Sequence, residues 1–73
     1  MSDTAVVLSS LAVAAPRETS YLVALLEASC GTCPRKGRAL LGAMVRDEVL
    51  SRPYPGWIGR GPRFDEPSAE GSR

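Results

Sequence analysis

Apolar positions along this chain fall into runs separated by proline, glycine and short polar stretches. The clearest run spans residues 35–51. There Leu40, Leu41, Met44, Val45 and Val49 recur at spacings of three and four, while Arg35, Lys36, Arg46 and Asp47 fall opposite. At 3.6 residues per turn this is one apolar stripe, and it predicts an amphipathic helix. Pro34 suits the first turn, where its missing amide would have no intrahelical partner, and Pro53 stops the helix. Glu48 falls inside the apolar arc, so it is expected near the helix end in water or against a cation such as Arg52.

Two earlier runs are more evenly apolar. Residues 5–15, Ala5 to Ala15, carry four alanines and follow Asp3 and Thr4, either of which can cap a helix. Val6, Val7, Val13 and the Ser9-Ser10 break leave two short strands as the alternative, and helix is preferred. Pro16 ends the run. Residues 21–28 place Tyr21, Leu22, Leu25 and Leu26 around most of a helical wheel, with Ser20 and Glu27 on a narrow polar face. Such a segment wants burial on several sides, and a buried strand over residues 21–26 reads the same way.

From Pro53 onward the character changes. Four prolines and four glycines fall among residues 53–73, which predicts an extended arm rather than a regular element. The arm still holds Tyr54, Trp57 and Phe64, three of the four aromatics. A free tail has no use for them, so residues 53–58 are expected to dock on the protein's own helices or on a partner. Residues 65–73 read as disordered.

The expected fold is therefore all-α: a small helical hairpin of two to three helices over residues 1–52, with an extended Pro/Gly-rich C-terminal arm over residues 53–73. Seventy-three residues allow one small core, worth about 3–5 kcal/mol, so a partner, metal or staple would help. With 44 % hydrophobic and 23 % charged residues, the composition is that of a folded chain.

Candidate chemistry converges on Cys30-Gly31-Thr32-Cys33-Pro34, which holds both cysteines. The sequence contains no histidine, which closes Ser/His and Cys/His catalysis and imidazole metal ligation. A Cys-x-x-Cys pair at a helix start can stabilise a thiolate, and Arg35, Lys36 and Arg38 would add to that field. Residues 21–45, from Tyr21-Leu22-Val23 through Cys30-Gly31-Thr32-Cys33 to Leu40-Leu41, resemble the strand, active-site loop and helix of the thioredoxin family. That resemblance implies Cys30 as attacking thiol and Cys33 as resolving thiol. Zinc is the other chemical reading: two thiolates are half of a four-ligand site, so Cys30 and Cys33 would share the metal with a second chain. The plainest reading makes the motif a hairpin corner, with Gly31 ending one helix in a left-handed turn and Thr32 or Cys33 capping the next.

A net charge of +1 gives no whole-molecule attraction to polyanions, so nucleic acid is disfavoured as a partner. The arginines interleaved with Tyr54, Trp57 and Phe64 can stack bases, but Asp65, Glu66 and Glu70 nearly balance them. No apolar run reaches the roughly 20 residues that span a bilayer, and the N-terminus lacks the basic region of a signal peptide. A cytoplasmic location is expected, since two cysteines separated by only two residues do not make a secreted disulfide framework. These features predict a non-enzymatic interaction or regulatory subunit that meets a protein partner or a second copy through Leu41, Val45, Tyr54 and Trp57. No resident cofactor is expected. The alternative is a Cys-x-x-Cys thiol protein, redox-active or sharing zinc between chains.

Overall fold

Ser2 opens the first helix, because its hydroxyl accepts a hydrogen bond from the Ala5 amide at 3.2 Å and satisfies a donor that no earlier carbonyl reaches. The cap thus lies one residue ahead of Asp3 and Thr4. A computed structural model describes residues 2–64, and the expected disorder of residues 65–73 lies outside them. Helix α1 (Asp3–Val13) is followed by strand β1 (Arg17–Glu18), helix α2 (Thr19–Cys30), helix α3 (Pro34–Arg46) and strands β2 (Leu50–Ser51) and β3 (Trp57–Arg60). Both evenly apolar runs are helical, which decides between helix and strand. It also removes the strand that the thioredoxin resemblance implies before the cysteines, since residues 21–26 lie within α2.

The expectation of an all-α chain is overturned. β1, β3 and β2 form an antiparallel sheet in that order, with Arg17 opposite Ile58, Glu18 opposite Trp57, and Leu50 opposite Arg60. Part of the stretch read as an extended arm is therefore the central strand. Ile58 explains it: its side chain is fully buried and Gly59 after it is buried as well, while Trp57 and Arg60 at the two ends of the strand are exposed. Strand geometry sends neighbouring side chains to opposite faces, so Ile58 anchors the arm in the core while Trp57 beside it faces outward.

The core lies between the three helices and the inner face of the sheet. Val7 and Leu11 come from α1, Leu22 and Leu26 from α2, Leu41 and Met44 from α3, and Leu50 and Ile58 from the strands. Each helical pair is spaced by three or four residues, as one face of a helix requires, and Leu41 and Met44 belong to the stripe that the sequence shows. α3 stops at Arg46, short of the expected Ser51. The Asp47 amide still reaches the Ala43 carbonyl at 3.0 Å, and Glu48 then turns into positive φ (67°) and sits in water, as its place at a helix end predicts. Val49 stays buried, but from beyond the helix.

Two arginines from the sheet tie α1 in place. Its last turn contains no basic residue of its own. Arg60 donates from Nε to the Leu11 carbonyl at 2.9 Å and from Nη2 to the Ala12 carbonyl at 3.2 Å, and Arg17 Nε reaches the Ser10 carbonyl at 3.3 Å. Arg60 thus meets orphan carbonyls at the negative end of the helix dipole, and Arg17 adds to the Ser10 carbonyl, which also accepts from the Ala14 amide. Among the described residues, no helix is long and apolar enough to cross a membrane.

Candidate functional site

The cysteine motif is a helix–helix corner. Gly31 ends α2 at φ 70°, a conformation that costs glycine little, and its amide donates to the Glu27 carbonyl at 3.0 Å. Cys33 is the N-cap of α3 but makes no side-chain capping bond, and Pro34 follows in the first turn. Thr32 does not cap α3 either; its hydroxyl donates to the Asp3 carboxylate, closing the start of α1 onto the corner.

The two thiols have different surroundings. Cys30 is half-buried against the core, whereas Cys33 is exposed, and the two are not joined by a disulfide. Burial, followed by the charge of Asp3 and a hydrogen bond to it, pushes the Cys30 thiol above its ordinary value. A carboxylate beside a thiol opposes the thiolate, so this corner works against the attacking role that the resemblance implies for Cys30. Cys33 instead faces an open hollow of about 480 Å³, shared with Asp3, Thr32, Lys36 and Leu40. Among the described residues, no group of three or more Cys, Asp or Glu side chains is placed to hold a metal ion.

The residues expected to meet a partner separate into two groups. Leu41 is 1 % exposed and Val45 half-buried, so α3 turns its apolar stripe into the chain's own core. Tyr54 and Trp57 remain at the surface, 62 % and 38 % exposed. They occupy the first and last positions of a turn in which the Trp57 amide donates to the Tyr54 carbonyl at 3.0 Å. Pro55 followed by Gly56 at φ 81° is the pattern of a type II turn, which needs positive φ at its third residue. The Gly56 carbonyl accepts from the Thr19 amide at 2.9 Å, so the turn is bonded to the first residue of α2. Ile58, adjacent to Trp57, is locked in the core.

A third exposed aromatic was not singled out from the sequence as a contact residue. Tyr21 is 44 % exposed, and the Arg17 guanidinium lies 4.8 Å from its ring centroid. Both line an open groove of about 540 Å³ between α1 and α2, with Val6, Val13 and Leu25. The available signal was the all-round apolar wheel of residues 21–28, which cannot be buried on every side in so small a protein. Protein-family models, curated proteins and solved structures all show no match to this chain.

Proposed function

We propose that this chain is a small non-enzymatic interaction subunit whose contact surface is built on Tyr54 and Trp57. The observation that carries this reading is their presentation: two exposed aromatics on a hydrogen-bonded turn, fixed on one side by the α2 amide and on the other by Ile58. Large, rigid amphipathic side chains held ready at a surface lose little freedom on binding and are typical energetic anchors of interfaces. Tyr21 and the groove beside it add apolar surface of the same kind. The raised Cys30 thiol at a helix–helix junction favours a structural corner over redox chemistry, so the thiol reading takes second place.

Variants of exposed side chains provide the test. Tyr54→Ala with Trp57→Ala is expected to fold normally and to lose a stoichiometric protein captured by the wild type from its own cells. Cys30→Ser with Cys33→Ser is expected to keep that protein. Retention by the aromatic variant, or loss by the cysteine variant, contradicts the reading. Truncation after Arg52 is unsuitable as a test, because it removes β3 and with it Ile58 from the core.

A further inference from the structure

We propose that the solvent face of α3 binds the phosphodiester backbone of a nucleic-acid duplex. The helix carries Arg35, Lys36, Arg38 and Arg46, and no acidic residue. All four cations are exposed, and among the described residues none is ion-paired. Lys36 shares its hollow with Asp3, so the surface rests on the three arginines. At 100° per residue Arg35, Arg38, Ala39, Gly42 and Arg46 fall within an arc of about 100°, and Arg35 and Arg46 stand about 16 Å apart along the axis. Every side chain in that arc is an arginine or no larger than a methyl group, and the space above Gly42 is open.

An ordinary solvent-facing helix interleaves acids with bases, since like charges one turn apart destabilise it. This face does the reverse. The acids nearest in sequence, Asp47 and Glu48, come only after the helix has ended. The whole-chain charge of +1 conceals the segregation: residues 2–64 hold eight Lys and Arg against five Asp and Glu.

The chemistry of the face selects among polyanions. It offers no apolar or aromatic anchor, which a protein interface needs at its centre and a membrane-surface helix needs for insertion. Binding to single strands relies on aromatic stacking platforms, and this arc has none. A duplex backbone requires only cations spaced along a surface that approaches closely. Guanidinium forks meet phosphate oxygens in pairs, and a helix with small side chains fits a groove about 12 Å wide.

The probe is a labelled random-sequence duplex, as DNA and separately as RNA, titrated with the full chain over a salt series and followed by anisotropy. Wild type is expected to bind at low salt with a slope of about −3 in log affinity against log salt, as three neutralised phosphates require. Arg35→Ala, Arg38→Ala and Arg46→Ala are each expected to reduce the slope by about 1, with unchanged circular dichroism. The triple variant is expected to lose roughly tenfold or more in affinity at low salt. Trp57→Ala is expected to bind as wild type does. The stronger of the DNA and RNA arms identifies the duplex geometry preferred. Absence of binding at the lowest salt overturns the proposal, as does an unchanged slope in the triple variant. Competition by polyglutamate or by phosphatidylserine vesicles at equal charge would overturn it too.

Discussion

A methyl group added at Gly61 would run into the Glu48 carbonyl and stand 2.6 Å from that of Leu50, where backbone cannot yield. One added at Gly42 would meet nothing within 4 Å. The two glycines therefore have opposite expectations. Gly61→Ala is expected to cost about 2–3 kcal/mol or more in urea unfolding. Gly42→Ala, in a helix interior, is expected to gain up to about 1 kcal/mol. Cys30 gives a third prediction at this scale. Its raised thiol value means that the folded chain holds the proton more tightly than the unfolded chain. The associated stability is fully present below the unfolded thiol value, about 8.5, and is lost as pH rises from there through the folded value. Thermal stability should therefore fall less steeply above pH about 8.5 in Cys30→Ser than in wild type. A thiol reagent counted by peptide mass spectrometry should label Cys33 before Cys30; labelling in the reverse order would contradict the described corner.

Among the elements, β3 carries the correction to the fold, and it is also where substitution separates core from surface. Ile58→Ala is expected to cost about 2–5 kcal/mol, comparable with the whole stability of a chain this small, and to unfold it by circular dichroism. Trp57→Ala, one residue away, is expected to leave the fold intact. Arg60→Met removes two hydrogen bonds to the end of α1 and is expected to cost about 1 kcal/mol in the same assay. Helix α3 was legible because its stripe repeats over about three turns. Residues 5–15 read as helix from their alanines, and residues 21–28, apolar nearly all round, left helix and strand open. The sheet was not legible, for physical reasons. β1 and β2 are two residues each, too short for a period of two to show, and β3 interrupts its alternation at Gly59 between proline-rich flanks. Its pairing also joins residues some 40 positions apart, which no local pattern records. The overlong reading of α3 has a similar cause. Val49 continues the helical spacing while belonging to a different backbone conformation, and neither glycine nor proline marks the break at Asp47.

At the scale of the molecule, the surfaces divide the work. The apolar stripes of all three helices are spent on one core, so Leu41 is buried inside and the exposed aromatics come from a strand, a turn and α2. Tyr54 and Trp57 could be found in the sequence, because aromatics among prolines and glycines stand out. The Asp3 contacts at the cysteine corner could not, since Asp3 lies 29 positions before Thr32 and no local pattern links them. The most direct measurement of the interaction reading places a photo-crosslinking amino acid at position 54, and in a second sample at Glu27, which is exposed on α2. Irradiation in the native cells should yield one dominant protein adduct from position 54, a second copy of this chain included, and none from position 27. Equal adducts from the two positions, or no protein adduct from position 54, would contradict the proposal that Tyr54 and Trp57 form the contact surface.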